Sequence, residues 1–206
     1  MYEVEVKFKL QDKDRFITGF KTAGGKYKAH LEHTDIYYNM PSGMRSFAQT
    51  DEALRLRQNK QKYKDNEHDG TNVVQQTFDF TYKGPKLDDE IKSRQEYVCH
   101  VEDPDELRNI LTALGFEEVV TIKKSRDLLE IKFNGMHIEC VVDKIQYLDG
   151  TFCEFEIRIP EDESLDEAKQ TIFALMRRLG YGPTDSIQTS YMEMVMEKLT
   201  KSGKLK

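Results

Sequence analysis

The chain has 206 residues, of which 38% are hydrophobic and 33% are charged, and its formal net charge at pH 7 is −6. This length suits a single domain with a sizeable core. The acidic balance argues against nucleic acid as a partner. The absence of a run of 18 apolar residues argues against a membrane span. We also expect no leader peptide, because no charged segment precedes an apolar one.

The three cysteines bear on the cellular compartment. Cys99, Cys140 and Cys153 form no CxxC pair, and their odd number argues against a disulfide framework or a zinc site. All three lie in apolar, strand-like runs, so we expect buried structural thiols. The sequence therefore predicts a protein of the reducing cytoplasm.

The chain begins with a strand that is charged on one face. Its apolar face carries Tyr2, Val4, Val6 and Phe8. Its charged face carries Glu3, Glu5 and Lys7. Such strict alternation predicts a strand over 2–10, because successive side chains of a strand point to opposite faces.

The rest of the first half continues with one helix and three strands. Asp12 as a cap and Gly24-Gly25 as a stop predict a helix around 12–25. Strand-like runs follow at 34–39, 53–58 and 77–83. Residues 59–72 are polar and nearly free of apolar side chains, so we expect a long mobile hairpin loop there.

The second half repeats this order. A strand at 93–101 precedes a helix at 103–115, and strands follow at 119–133, 136–145 and 151–159. Asn134-Gly135 predicts a tight hairpin turn between two of them. Capping boxes at Ser164 and Ser190 predict two closing helices, over 164–180 and 190–199, with 200–206 as a frayed tail.

Charged faces recur on most of these strands, which indicates a common cause. If they all met water, the sheet would be a flat, half-buried layer with helices beneath it. The alternative, which we favour, is an α+β fold in which eight antiparallel strands close into a barrel. Charged side chains would line the lumen of this tunnel, and helices would cover its apolar outer surface.

The predicted lumen contains both acids and bases. The acidic members are Glu3, Glu5, Asp143, Glu154 and Glu156. The basic members are Lys7, Arg55, Arg57, Lys83, Arg94, Lys124 and Arg126. Crowded carboxylates with few histidines suit Mg²⁺ or Mn²⁺, and clustered guanidinium groups suit phosphate oxygens. The pattern predicts a metal-dependent site for a di- or triphosphate.

An ordered series of motifs resembles the CYTH domain, also called the triphosphate tunnel metalloenzyme superfamily. It starts with ExExK at 3–7, a motif that alone would be weak evidence for the family. The series continues with HTDIYYN at 33–39, EALRLR at 52–57, TYKGP at 81–85, SRQE at 93–96, IKKSR at 122–126, VVD at 141–143, GTFCEFE at 150–156 and SYMEM at 190–194. The resemblance covers nearly the whole chain and implies one CYTH domain over 1–199.

The resemblance implies roles for individual residues. Glu3, Glu5, Glu154 and Glu156 would bind the metal, with Asp143 assisting them. Asp143 and Lys83 are the expected catalytic residues. The triphosphate would be bound by Lys7, Arg55, Arg57, Lys83, Lys124 and Arg126, and less centrally by Arg94. Of the five histidines, only His33 is expected near the tunnel mouth, and we expect no catalytic histidine.

The superfamily includes class IV adenylyl cyclases, thiamine triphosphatases and inorganic triphosphatases. The motif series looks most like the cyclase branch, so we expect ATP to be converted to cyclic AMP and pyrophosphate. Hydrolysis of inorganic or thiamine triphosphate is the alternative, and a non-enzymatic triphosphate sensor is a lesser one. We expect a small-molecule triphosphate as the partner, no nucleic acid or membrane, and a homodimer through Met- and Leu-rich outer helices.

Overall fold

The computed structural model describes residues 2–64, 72–86, 92–160 and 164–204. These residues form eight strands, four α-helices and a 3-10 turn at Pro183–Asp185. The strands are β1 (Tyr2–Leu10), β2 (Lys26–Asn39), β3 (Ala53–Lys64), β4 (Asn72–Lys86), β5 (Lys92–His100), β6 (Glu117–Phe133), β7 (Met136–Ile145) and β8 (Thr151–Ile159). The helices are α1 (Lys13–Thr22), α2 (Pro104–Ala113), α3 (Leu165–Arg178) and α4 (Tyr191–Lys201).

The strands close into one barrel in the order β1-β5-β4-β3-β2-β6-β7-β8. Every neighbouring pair is antiparallel. Three pairings are not hairpins between consecutive strands: β2 pairs with β6, and β1 pairs with both β5 and β8. The predicted α+β fold with a closed eight-stranded barrel is therefore confirmed, and the alternative of a flat layer is excluded.

The main hydrophobic core lies outside the barrel. The outward faces of β1 and β8 supply Phe8 and Phe155, whose ring centroids are 5.4 Å apart. Helix α1 packs Phe16 and Phe20 within 6.2 Å of the Phe155 ring, and α3 adds the fully buried Ile172. Because these helices attract the apolar face of each strand, the alternating charged face must point inward.

Two smaller clusters fix the other helices to the barrel. Under α4, Val195 packs with Ile122 of β6 and Phe152 of β8. Under α2, Leu111 packs with Leu54 of β3. The helices thus cover the barrel wall on several sides, as the sequence predicted.

The predicted loop over 59–72 is wrong at both ends. Strand β3 continues to Lys64, β4 begins at Asn72, and their ladder runs from Ala53↔Lys83 to Lys64↔Asn72. The polar composition misled the prediction because backbone pairing, rather than a buried apolar face, defines these strand ends. The centre of the predicted loop, 65–71, lies outside the described residues. Strand β2 likewise begins at Lys26 rather than at residue 34.

The structure also bears on three smaller expectations. Helix α4 includes Thr200 and Lys201, so the predicted tail over 200–206 is wrong for those two residues. Cys140 and Cys153 are buried, but Cys99 is exposed, which corrects the prediction of three buried thiols. None of the helices in the described ranges is long and apolar enough to cross a membrane.

Candidate active site

A cavity of about 700 Å³ occupies the barrel lumen. Side chains from all eight strands line it, together with the start of α4 and residues of the 47–53 segment. This volume falls in the range of small-molecule sites, which usually measure roughly 300–1,000 Å³. The charged faces recognised in the sequence therefore meet in one enclosed space rather than in bulk solvent.

Positive charge dominates one side of the tunnel. Six of the seven predicted phosphate-binding residues line the cavity, and they are Arg55, Arg57, Lys83, Arg94, Lys124 and Arg126. The side chains of Lys124, Arg126 and Arg57 are only 3%, 12% and 13% exposed. Cations held so close together in a poorly solvated space attract a polyanion strongly.

Asp35 organises part of this cationic wall, and its role went unrecognised in the sequence. Its fully buried carboxylate accepts hydrogen bonds from Arg57 Nε at 2.6 Å and Nη2 at 2.9 Å. Lys124 Nζ lies 2.8 Å from the same carboxylate. Although burial opposes ionisation, the charges of Arg57 and Lys124 hold the Asp35 pKa well below its usual value. In the sequence, the only indication of this role was the position of Asp35 within the TDIYY motif.

Lys124 is the tunnel lysine that most readily loses its proton. Burial lowers its pKa to about 8, and the neighbouring charges of Arg57 and Arg126 act in the same direction. Asp35 and Asp143 oppose the shift. A bound phosphate would oppose this shift, since it would offset the positive charge of Arg57 and Arg126.

Carboxylates are crowded on the other side of the tunnel. In register, Glu5 of β1 faces Glu156 of β8, and Glu156 faces Glu139 of β7. Side chains directly opposite each other in adjacent strands lie roughly 5 Å apart at Cβ. Burial, with repulsion from Glu139 and Glu5, raises the Glu156 pKa to about 6 despite the nearby Arg158 and Lys83. Glu139 completes this row and was not among the predicted site residues.

Lys83 connects the two sides of the tunnel. Its Nζ lies 3.2 Å from Glu3 and 3.4 Å from Glu96. Burial raises the Glu3 pKa well above its usual value, since it outweighs the charge of Lys83. Glu96 is partly buried, which opposes ionisation, but its hydrogen bond with Glu3 and the charges of Lys83 and Arg55 lower its pKa to about 2. These carboxylates raise the Lys83 pKa against the effect of burial, so Lys83 stays charged.

Asp143 lies in the tunnel wall behind Arg126. Its fully buried carboxylate accepts bonds from Arg126 Nε at 2.7 Å and Nη2 at 2.6 Å, while Glu154 lies 3.2 Å from Nη2. Asp143 is not among the side chains that line the cavity, and neither is Lys7. Asp143 therefore orients Arg126, and its predicted metal-binding and catalytic roles stay predictions.

Lys7 is also held by the protein itself. Its buried Nζ donates to the backbone oxygen of Thr189 and lies 4.3 Å from the centroid of the Tyr191 ring. Helix α4 supplies Tyr191 because the Ser190–Glu193 capping box fixes its first turn at the tunnel wall. Lys7 thus joins β1 to α4 beside the cavity.

Two histidines line the cavity. His33 lies within the barrel wall and is 5% exposed, whereas His100 lies at the rim with its side chain 90% exposed. The expectation that only His33 lies near the mouth is therefore wrong. His100 pairs with Asp79 at 2.6 Å.

The donor set of the tunnel suits a hard divalent cation. It includes the carboxylate oxygens of Glu3, Glu5, Glu139, Glu154 and Glu156. Within the described ranges, no three His, Cys, Asp or Glu side chains converge tightly enough to hold a metal ion by themselves. Mg²⁺ is usually bound by one or two carboxylates together with substrate phosphates and waters, so these residues fit an ion that enters with its phosphate ligand.

Comparison with known proteins agrees with this geometry. The profile of the CYTH domain matches residues 1–191. A Methanocaldococcus jannaschii protein, provisionally named an adenylate cyclase, is 33% identical over 194 residues, which cover 94% of this chain and 98% of that protein.

Solved structures show the same fold. A Pyrococcus horikoshii protein has a TM-score of 0.77 and 30% identity, with 95% of this chain and 99% of that one covered. A Hippeastrum protein described as an adenylyl cyclase with a dominant triphosphatase activity has a TM-score of 0.60 and 16% identity, with 95% of each chain covered.

The chain belongs to the CYTH domain family. The family match and the 33% identical relative both span nearly the whole chain. The prediction of a CYTH enzyme is thereby confirmed.

Proposed function

We propose that the protein is a class IV adenylyl cyclase that converts ATP to cyclic AMP and pyrophosphate with Mg²⁺ or Mn²⁺. The observation that carries this proposal is the closed tunnel in which a cationic wall faces a row of carboxylates. That layout suits phosphoryl transfer, which depends mainly on positioning and on stabilising phosphate charge. The name of the 33% identical relative supports cyclase activity over other triphosphate chemistry.

The cationic wall would bind and align the triphosphate. Arg57 and Arg126 each present a guanidinium fixed by a carboxylate, Asp35 and Asp143 respectively. Fixed guanidinium groups bind phosphate oxygens without a large loss of side-chain freedom. Lys83, held between Glu3 and Glu96, stays charged and would stabilise negative charge rather than accept a proton.

In the proposed reaction, the ribose 3′-oxygen attacks the α-phosphorus. A new bond between that oxygen and the α-phosphorus replaces the bond to the β-phosphate, and pyrophosphate leaves with the electron pair. The proton of the 3′-hydroxyl passes to solvent or to a basic side chain. The tunnel cations would offset the charge that develops on the departing pyrophosphate.

The carboxylate row would hold the divalent cation. Glu5, Glu139 and Glu156 are in register across three strands, and Glu3 and Glu154 lie beside them in the tunnel lining. The ion would supply charge neutralisation at the phosphates and would help to orient them. It would also relieve the repulsion that raises the pKa of Glu156.

Triphosphate hydrolysis is the second candidate. Its support is the Hippeastrum protein, which shares the fold and is described by a dominant triphosphatase activity. The same tunnel would hold the phosphates, with water in place of the ribose hydroxyl as the nucleophile. The third candidate is a sensor that binds a triphosphate without turning it over.

One incubation series separates these activities. Pure protein is mixed with ATP, thiamine triphosphate or inorganic triphosphate, each with Mg²⁺ or Mn²⁺, and the products are separated by chromatography. Cyclic AMP with equimolar pyrophosphate from ATP is the expected result. Phosphate release without cyclic AMP would replace the cyclase with a triphosphatase, and binding without any product would favour the sensor.

Two variants identify the tunnel as the site. Glu5→Gln removes a charge from the carboxylate row, and we expect at least a tenfold loss of turnover. Glu117→Gln, on an exposed position of β6, is the matched control and is expected to retain full activity. Equal activity in both variants would contradict the assignment of the tunnel.

A further inference from the structure

His33 is a buried histidine that the proposed mechanism does not use. It lies on β2 and faces Asn59 of β3 on one side and Lys124 of β6 on the other. The residue is 5% exposed, and its side chain lines the tunnel cavity. Its ring is therefore part of the wall that the triphosphate would meet.

Neither nitrogen of the His33 ring has a hydrogen-bond partner among the described residues. A neutral imidazole always carries one N–H donor and one acceptor nitrogen. Buried polar atoms are almost always paired, so two unpaired atoms on one buried ring point to a partner that enters from the cavity. A ligand or bound water would meet this requirement.

The charges around His33 favour an anionic partner. Arg57 of β3 and Lys124 and Arg126 of β6 act on the ring from the neighbouring strands, while Asp35 on β2 acts in the opposite direction. Burial together with these three cations lowers the His33 pKa to about 2. The ring is therefore neutral in the free protein, and it lies in a region that attracts anions.

The Asp35 carboxylate does not satisfy this ring. Asp35 is already bonded to both Arg57 and Lys124, and neither ring nitrogen of His33 reaches it. A phosphate oxygen among the same cations would supply the missing acceptor. It would also raise the proton affinity of the ring, since added negative charge favours the protonated form.

His30 shows the opposite environment on the outside of the barrel. Its Nδ1 lies 2.8 Å from Asp127, and its Nε2 lies 3.0 Å from Glu32 and 3.3 Å from Ser125 Oγ. The arrangement has the members of a Ser-His-Asp triad. However, the bond with Asp127 above all, and that with Glu32, raise the His30 pKa, so the two carboxylates favour the protonated ring over the neutral form that a general base needs.

We propose that His33 is a further substrate-binding residue, which donates its ring N–H to a phosphate oxygen of the triphosphate in the tunnel. The proposal rests on the proposed function, because it names the same triphosphate. It adds a neutral, directional donor beside the cations Arg57, Lys124 and Arg126. Such a donor would fix the position of one phosphate rather than simply attract the whole chain of phosphates.

The direct test is ¹⁵N-histidine NMR with inorganic tripolyphosphate as the probe, in EDTA so that no divalent cation supports turnover. His33 resonances are assigned by their absence from a His33→Gln spectrum. We expect a neutral ring in the free protein, and on saturation a shifted donor nitrogen with an N–H protected from exchange. The exposed His137 of β7 is the internal control and should not shift.

Calorimetric titration of tripolyphosphate into variants gives an independent readout. His33→Phe keeps a ring but removes the donor, and we expect about tenfold weaker binding, as for the loss of one hydrogen bond to a charged group. His33→Gln keeps an N–H and should recover most of that loss. His137→Gln should bind as the parent protein does.

The outcomes separate this inference from the function on which it rests. If the parent protein binds no triphosphate under any condition, the proposed function fails and His33 loses its role with it. If the parent protein binds but His33→Phe binds equally well, or the His33 resonances stay unchanged at saturation, the function stands and this inference is overturned. The NMR shift is measured on the unaltered protein, and His33→Phe supplies the assignment if His33→Gln does not fold.

Discussion

Two buried cations depend on the Asp35 carboxylate. In Asp35→Asn, Arg57 and Lys124 would lose their shared countercharge at a fully buried position. Removing one partner of a buried ion pair typically costs about 3–5 kcal/mol. We expect the free energy of unfolding, measured by urea denaturation, to fall by that amount.

The Asp35→Asn experiment has a surface control. Asp149 pairs with Lys198, but the Asp149 side chain is 92% exposed, so Asp149→Asn should leave the urea midpoint unchanged. Tripolyphosphate should recover more stability in Asp35→Asn than in the parent protein, because it replaces the missing negative charge. An Asp35→Asn protein as stable as the parent would contradict the role of Asp35.

Glu156 should make the metal-free protein less stable as the pH rises. Its folded pKa of about 6 lies above the usual 4.5, so the folded protein holds this proton more tightly than the unfolded chain does. The resulting contribution is present below pH 4.5 and is lost as the pH rises through 6. Above pH 6, Glu156→Gln should therefore be more stable by about 2 kcal/mol, since one pKa unit corresponds to about 1.4 kcal/mol.

Urea denaturation in EDTA at pH 4.5 and pH 7.5 measures this effect. The parent protein and Glu156→Gln should be equally stable at the lower pH and should differ at the higher one. Glu117→Gln controls for the loss of an exposed carboxylate. If Glu156→Gln is no more stable than the parent protein at pH 7.5, ionisation of Glu156 does not destabilise the folded protein.

At the scale of elements, alternation was a reliable guide to strand existence but not to strand length. Strands β1, β7 and β8 match the predicted bounds because their outward faces are apolar throughout and pack under helices. Strands β2, β3 and β4 run beyond that contact. Their ends are held by neighbouring strands, and the sequence contains no local signal of such pairing.

The two N-cap serines were readable as local signals, although only Ser190 forms the full predicted capping box, and Ser190 is adjacent to the site. Ser164 caps α3 and Ser190 caps α4, and each serine accepts a backbone hydrogen bond from the residue three positions on. Ser190 to Glu193 line the tunnel, whereas Ser164 does not. The two serines therefore offer a matched pair in which local stability and site function separate.

We expect Ser164→Ala and Ser190→Ala each to lower stability by about 1 kcal/mol, the usual cost of losing an N-cap. Only Ser190→Ala should also raise KM for the triphosphate, because it loosens the turn that places Tyr191 beside Lys7. Steady-state kinetics and thermal denaturation on both variants provide the comparison. An equal change of KM in the two would mean that α4 does not shape the site.

At the scale of the whole molecule, the sequence predicted a barrel but not its pairings. The recurring charged faces required one enclosed space, and the structure has it. Where two strands lie far apart in the sequence, the register between them could not be predicted. The sequence therefore did not show which acidic side chain pairs with which basic one across such strands. The pair Asp35 with Lys124 crosses the β2–β6 ladder between such strands, whereas the pair Arg126 with Asp143 crosses the β6–β7 hairpin, whose register is set by the Asn134-Gly135 turn.

Ligand binding should stabilise the barrel as a unit. Mg²⁺ with tripolyphosphate should raise the melting temperature by several degrees, and the gain should approach about 2.7 kcal/mol at a ligand concentration of 100 Kd. Tripolyphosphate alone should give less, and Mg²⁺ alone least. Thermal scans of the parent protein and Glu5→Gln measure this, and an equal gain in both would remove the carboxylate row from the binding site.

The position of β1 in the barrel has a consequence for biosynthesis. The ribosome makes β1 first, yet its longest ladder is with β8, the last strand to be made, from Leu10↔Thr151 to Tyr2↔Ile159. Until β8 emerges, the apolar face of β1, with Val4, Val6 and Phe8, has no completed core to join. Barrel closure must therefore wait for β8, and until then the nascent protein exposes the apolar face of β1, which chaperones would bind.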